Sequence, residues 1–167
     1  AFVATMGYSR ASFVEYVTDE KIETLLACHE HAFEYFGGVP KQVLYDNMKT
    51  VVIERDGYGE GNHKLNPLFL DFAKHWGFVP KLCQPYRART KGKVERFNRY
   101  LRRTFHVTLA SRLKMSGIHL DKDTANVEVR RWLRETANVR IHATTKEQPD
   151  KLLKAEQPHL QAFPPSY

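Results

Sequence analysis

A chain of 167 residues, 42% hydrophobic and 27% charged, is long enough to bury a core and too ordinary in balance for a disordered or fibrous segment. No apolar run approaches the roughly 18 residues that a membrane-spanning helix needs. The two cysteines, Cys28 and Cys83, stand apart with no CxxC pair, which argues against a disulfide framework and a structural zinc site and fits reduced core thiols in the cytosol. The net charge of +7 is not spread evenly: Lys81 to Arg103 holds nine Lys/Arg and one acid, leaving 17 bases against 18 acids elsewhere. That is the footprint of a surface for a polyanion, DNA or RNA, or else of a solvated basic face.

The chain opens on Ala1 rather than an initiator Met and reads as a piece of a longer protein. Phe2 to Met6 and Ser12 to Val17 are rich in strand formers, and Gly7-Tyr8-Ser9-Arg10 between them carries turn chemistry. Thr18 or Asp19 can cap a helix whose apolar positions are Ile22, Leu25, Leu26, His29, Ala32, Phe33 and Phe36, ended by Gly37-Gly38. His29 falls on its apolar face, where a core histidine with satisfied hydrogen bonds is expected. Gln42 to Tyr45 is a short strand that delivers Asp46-Asn47 at its carboxyl end, the place where sites gather in α/β sheets; a cap or turn role suits Asp46 equally. Val51 to Ile53 suggests a further strand and Asp56 to Asn62 a polar, flexible loop. Asn66-Pro67 reads as a cap and first helical residue, followed by a buried face of Leu68, Phe69, Phe72, Ala73 and Trp76 and a stop at Gly77. Phe78 to Leu82 is another strand, near an edge because of Pro80.

The basic stretch follows. A loop with Pro85, Tyr86, Arg87 and Arg89 leads into a helix on which Val94, Phe97, Leu101 and Phe105 form one apolar stripe at about 100° per residue. Lys91, Glu95, Asn98 and Arg102 fall on its flank, with Arg99 a little further round, so Glu95 is expected at the edge of a core. Cations and an amide in one row are the groups that hold a phosphate backbone. The single carboxylate among them has two explanations: an i,i+4 ion pair with Lys91 and Arg99, or a ligand for a divalent metal beside bound phosphate. Beyond Phe105 the pattern weakens. Ser111 to Lys122 reads as loop with a helical turn or two. Asp123 can cap a helix with Val129, Trp132, Leu133 and Thr136 or Ala137 inward. Arg140 to Thr145 is a polar run, and Pro149 can start a short helix through Leu152-Leu153. The order of strands and helices indicates an α/β domain with a mixed sheet.

If Asp46 and Glu95 meet beside a basic groove, hard oxygen donors select Mg²⁺ or Mn²⁺, and such ions stabilise an in-line phosphoryl displacement. A third acid is not evident: Asp19, Glu20, Asp56, Glu60 and Asp71 all read as surface residues. Neither a GxSxG elbow nor a P-loop is present, and Tyr86 and Tyr100 lack the support a covalent nucleophile needs.

Asp46-Asn47 at a strand end, Pro85-Tyr86 and Lys91-Gly92-Lys93-Val94-Glu95-Arg96-Phe97-Asn98 together resemble the integrase core of DDE transposases and retroviral integrases. Gly7-Tyr8-Ser9-Arg10 is similar to that family's turn between its second and third strands, and Arg140-x-His142-x-Thr144-Thr145 with Pro149 resembles the segment that closes the core. Leu44 to Val52 and the long interval from Asp46 to Glu95 resemble the IstA-type transposases of bacterial insertion sequences, DNA transposases that work with an AAA+ helper, IstB. The resemblance implies an RNase H-like fold, a mixed sheet flanked by helices, over residues 1–145, truncated before its first strand. Residues 146–167 would be a C-terminal helix and Pro-rich linker toward a further domain. It implies two Mg²⁺ or Mn²⁺ ions held by two Asp and a Glu, with Asp46 as second acid, Glu95 as third, and the first upstream of Ala1, so that the fragment is inactive alone. It also implies contact of Lys91, Arg99 and Arg102 with transposon-end DNA, to which Arg87, Arg89, Lys93 and Asn98 are added here as candidates. Target DNA, self-association on paired ends and a cytoplasmic, nucleoid-associated bacterial setting follow from the same likeness. Met48 departs from the Gly many integrases have there. The rival functions are a non-catalytic DNA-binding or assembly module and an RNase H-like nuclease.

Overall fold

The computed structural model describes residues 1–46, 48–84 and 88–166, with the side chains of residues 88–91 outside the description. In chain order the elements are β1 (Phe2–Thr5), β2 (Ser12–Glu15), α1 (Ile22–Phe36), β3 (Gln42–Tyr45), β4 (Val52–Glu54), β5 (Lys64–Leu65), α2 (Pro67–Trp76), β6 (Val79–Leu82), α3 (Ala88–Leu101), α4 (Val107–Met115), α5 (Lys122–Trp132) and α6 (Pro149–Glu156). The class is α/β, as expected. Among the described residues the strands pair in twos, β1 with β2 and β4 with β5 antiparallel, β3 with β6 parallel. The chain forms two compact units, Ala1–Thr18 with Ala88–Pro158 and Asp19–Arg87 with His159–Tyr167.

In the first unit Phe2 stands opposite Glu15 and Thr5 opposite Ser12. The turn between them is closed by Met6 N–H to Ala11 O at 2.9 Å and Arg10 N–H to Met6 O at 3.2 Å. The outer edge of β2 is covered by two asparagine amides. Asn138 Oδ1 accepts the Ser12 N–H and its Nδ2 donates to Ser12 O, both at 3.0 Å. Asn126 does the same for Tyr16, at 2.6 and 2.9 Å. Each amide replaces a neighbouring strand's pair of hydrogen bonds, which an open edge would leave unmade.

The helices of this unit follow a four-residue rule. Four residues of an α-helix turn about 400°, so a row spaced by four drifts about 40° per step. Phe97, Leu101, Phe105 and Leu109 are so spaced, yet all are buried. The reason is a π-helical turn, Arg102–His106, that joins α3 to α4; its wider i→i+5 closure absorbs the drift. Ala125, Val129, Leu133 and Ala137 repeat the arrangement, with a π turn at Leu133–Ala137 after α5. Phe97, Leu101, Phe105 and Leu109 pack with Val129, Leu133, Ala137 and Val14 in one core. Three expectations change here. Val94 is 37% exposed, so the stripe starts at Phe97. The helix predicted to fade after Phe105 continues to Met115. Asp121, not Asp123, caps α5, its Oδ1 accepting Thr124 N–H at 2.7 Å. Of the two inward candidates, Thr136 and Ala137, it is Ala137 that is buried.

In the second unit α1 begins at Ile22, later than predicted. Asp19 still organises its entry, its Oδ1 accepting the Lys21 N–H at 2.9 Å and the Thr24 hydroxyl at 2.7 Å. Gly37 at φ 81° and Gly77 at φ 78° end α1 and α2 in the left-handed region that favours glycine. Asn66 caps α2 through Leu68 N–H at 3.0 Å, but Leu68 itself is 54% exposed and Phe69, Phe72 and Ala73 carry the burial. The loop expected to be flexible is the tight end of a β4–β5 hairpin. Asp56 at φ 55°, Gly59 at φ 106° and Gly61 at φ 79° turn the chain, and Asp56 Oδ1 accepts Gly61 N–H at 2.8 Å. Near the end of the chain, Gln161 pairs its backbone with Val39 and donates Nε2 to Gly77 O at 2.9 Å. Gly38 is needed there, since a Cβ would stand 2.6 Å from Leu160 Cβ.

Candidate nucleic-acid interface and its carboxylates

Asp46 follows the last residue of β3 and is exposed. The residue before it, Tyr45, is only 6% exposed, with its hydroxyl 2.7 Å from His29 Nε2 in the aromatic core of the second unit. The strand end that presents Asp46 is therefore anchored by a buried neighbour. Asp46 O accepts the Met48 N–H at 2.7 Å, so the chain turns directly after the carboxylate. Asn47 lies outside the described residues.

Glu95 belongs to the first unit, two residues before buried Phe97, and is exposed rather than set at a core edge. The correction has the same cause as that for Val94: the buried row begins a turn later than an ideal helical stripe suggests. Of the expected phosphate-holding residues, Lys93, Asn98, Arg99 and Arg102 are all exposed on or just after α3. Arg89 and Lys91 lie in α3 with side chains outside the description, and Arg87 lies outside the described residues. The Lys93 ammonium is held below the usual lysine range by partial desolvation and then by the positive charge of Arg10. Arg10, Arg140 and His142 were not among the expected binding residues, although their segments, the Gly7–Arg10 turn and the polar run from Arg140, were both singled out. Tyr100, half-buried, packs at a tilt against Trp132 with ring centroids 5.3 Å apart and carries Arg140 over its face.

Among the described residues no group of three or more His, Cys, Asp or Glu stands together as a metal cluster, and no helix is long and apolar enough to cross a membrane.

The first unit thus carries exposed cations along α3, and the second an exposed carboxylate just after β3. Residues 1–88 match the family model described as Integrase core domain, and the chain belongs to that family. A protein of Geobacillus stearothermophilus named for insertion sequence element IS5376 is 46% identical over 86% of this chain and 33% of its own length. The transposase for insertion sequence element IS21 of Pseudomonas aeruginosa is 37% identical over 97% of this chain and 39% of its own. The transposase for an IS21-like element of Bacteroides fragilis is 32% identical over 97% and 29% respectively. The chain thus spans about a third of the length of these relatives. Its fold resembles a chain in the cryoEM structure of the simian T-cell lymphotropic virus intasome in complex with PP2A regulatory subunit B56 gamma, with a TM-score of 0.67 at 19% identity, covering 99% of this chain and 51% of that one.

Proposed function

We propose that this chain is part of the catalytic core of a bacterial insertion-sequence transposase of the DDE type, which joins the 3′ ends of its element to target DNA by phosphoryl transfer. The observation that carries the proposal is the integrase-core match over residues 1–88 together with transposase relatives along almost the whole chain. Asp46 and Glu95 would hold the catalytic metal: both are exposed carboxylates, the hard oxygen donors that suit Mg²⁺ or Mn²⁺. Two acids fall short of the three that the resemblance implies. When bound, the metal supplies charge stabilisation for the entering and leaving oxygens. The chain's own work is positional. Lys93, Arg99 and Arg102, together with Arg87, Arg89 and Lys91, hold phosphates of the transposon end, and Asn98 orients the strand near the scissile group. Self-association on paired DNA ends and an AAA+ helper of the IstB type complete the proposal.

The test uses the full-length protein. Asp46→Asn and Glu95→Gln should each abolish strand transfer into a target duplex while leaving transposon-end binding within about threefold, since neither removes a phosphate contact. Strand transfer retained in either variant would remove that residue from the catalytic set. The carboxylates do the distinguishing: a non-catalytic DNA-binding module would show no loss of any activity on their neutralisation.

A further inference from the structure

Arg55 to His63, the tip of the β4–β5 hairpin, is polar and glycine-rich apart from one aromatic, Tyr58. Its ring is 71% exposed, although the backbone beneath it is fixed. Tyr58 N–H donates to Asn62 O and Gly59 N–H to Asp56 O, both at 3.0 Å, and His63 Nδ1 accepts the Asp56 N–H at 3.1 Å. A single exposed ring carries little weight alone; the cavity beside it gives it meaning. Hairpin and β6 border a cavity of about 480 Å³, the size of a small-molecule site. Arg55, Tyr58 and Asn62 line it from the hairpin, and Lys81, Leu82 and Gln84 from β6 and the residues that leave it. The hairpin's acids, Glu54, Asp56 and Glu60, are not among the described residues that line it.

The cavity lies beside the strand end that presents Asp46, within the second unit. β6 pairs in parallel with β3, Leu82 opposite Tyr45, and Cys83 N–H donates to Tyr45 O at 2.9 Å. On its other side Cys83 O accepts from Arg55 Nη2, also at 2.9 Å. Two hydrogen bonds in series thus connect Arg55 to the residue before Asp46. Two strand spacings are roughly 10 Å, or about three nucleotides along a DNA strand. The chemistry of the lining fits one nucleotide. A guanidinium whose fork is oriented by one bond, together with an ammonium, suits a phosphate. A phenol ring stacks on any base, because every base has a π-face. The amides of Asn62 and Gln84 both donate and accept, as a base edge requires. A duplex hides the faces of its bases, so a base reaches such a cavity only when unpaired or turned out of the stack.

We propose that this cavity seats one unpaired nucleotide of a DNA strand beside Asp46, its base against Tyr58 and its phosphate on Arg55 and Lys81. The proposal rests on the reading of this chain as a transposase core and adds a contact away from the basic helix. Its test compares two short duplexes of one mixed sequence, one blunt and one with a short unpaired end. The unpaired end carries 2-aminopurine, an adenine analogue whose fluorescence is quenched by stacking. The chain should bind the unpaired end more tightly and quench its fluorescence. Tyr58→Ala should lose the quenching and about fivefold or more of that preference, with blunt binding within about twofold. Tyr58→Phe, which keeps the ring, should retain both. Arg55→Gln should make the slope of log affinity against log salt shallower by about 0.7 for the unpaired-end duplex alone. Lys81→Gln should do the same, and serves if loss of the Cys83 bond unfolds the hairpin. Equal affinity of the unsubstituted chain for both duplexes, or quenching that survives in Tyr58→Ala, overturns the site but leaves the proposed function standing. If the unsubstituted chain binds neither duplex, it is the proposed function that fails. Adenosine monophosphate is the last probe. If Tyr58→Ala abolishes its binding but leaves the preference for the unpaired end unchanged, the cavity takes a free nucleotide and the DNA assignment is overturned.

Discussion

His29 is the most informative single side chain because its environment fixes its protonation state. It is 3% exposed, with rings of Phe33, Tyr45, Phe69, Phe72 and Phe78 at centroid distances of 5.6–6.3 Å. Nδ1 lies 2.7 Å from Leu25 O, which can only accept, so Nδ1 carries the proton and Nε2 accepts from the Tyr45 hydroxyl at 2.7 Å. Burial lowers its pKa from 6.5 to about 4, against a smaller opposing effect of the Leu25 carbonyl. Burial likewise raises the Tyr45 hydroxyl well above its usual range. The sign of the linkage follows. Between those two values the unfolded chain binds the proton and the folded chain does not, so stability is full above about pH 6.5 and declines as pH falls toward 4. The loss from this group at pH 4 is about 3 kcal/mol. Urea unfolding of the unsubstituted chain and of His29→Leu/Tyr45→Phe should therefore converge by about that amount as pH is lowered. A constant difference between the two chains would show that His29 titrates normally. Tyr45 immediately precedes Asp46, so the same protonation turns Nε2 from acceptor to donor in the hydrogen bond behind the strand end that presents the candidate carboxylate.

At the scale of elements, the first unit depends on spacing by four and on amides that finish a sheet edge. Asn138 does both jobs: it ends the second π turn and clamps Ser12. Asn138→Ala should destabilise the chain by about 2–4 kcal/mol, since it strands the buried N–H and C=O of Ser12 together. Asn98→Ala, on the exposed face of α3, should stay within about 0.5 kcal/mol. Equal costs in denaturant titrations of the two variants would mean that the clamp contributes nothing. These features mark the limit of what the sequence makes legible. Helix starts and stops written in local chemistry, Asn66-Pro67, Gly37 and Gly77, are readable because one residue decides each. The α4 extension is not readable by a 3.6-residue template, because the π turn changes the period at the very point where the apolar row must be followed. The β4–β5 hairpin is hidden for another reason. β5 has only two residues, Lys64 and Leu65, too few to show alternation, and its turn is held by Asp56 and two positive-φ glycines rather than by an Asn-Gly pair. At the candidate site, the sequence singles out Asp46, Glu95 and the α3 cations by residue type. It does not disclose that Asn138 holds the segment before Arg140 against the strand after Arg10, because the Asn138–Ser12 bonds join residues 126 apart in the chain.

For the chain as a whole, the decisive quantities are charge and ligand number, and they separate binding from chemistry. All of the positive excess lies between Lys81 and Arg103, the rest of the chain having 17 bases against 18 acids, and the cations described there from Lys93 to Arg103 are exposed. Counterion release from such a surface supplies affinity for a duplex without a metal. Phosphoryl transfer by paired metals needs more: each ion must be held by enough oxygen ligands to stay fixed against both reacting oxygens. Two carboxylates, Asp46 and Glu95, are proposed for that role, and among the described residues no cluster of three supports them. The 167-residue chain should therefore bind transposon-end duplex in EDTA about as well as in Mg²⁺. It should give no joined product with either Mg²⁺ or Mn²⁺, whereas a longer protein that adds an acidic ligand should join ends. Gel-shift and strand-transfer assays on the same duplex read the two steps separately. Joined product from this chain alone would mean that the ligand count proposed for it is too low. Duplex binding that collapses in EDTA would mean that metal, rather than the α3 cations, carries the affinity.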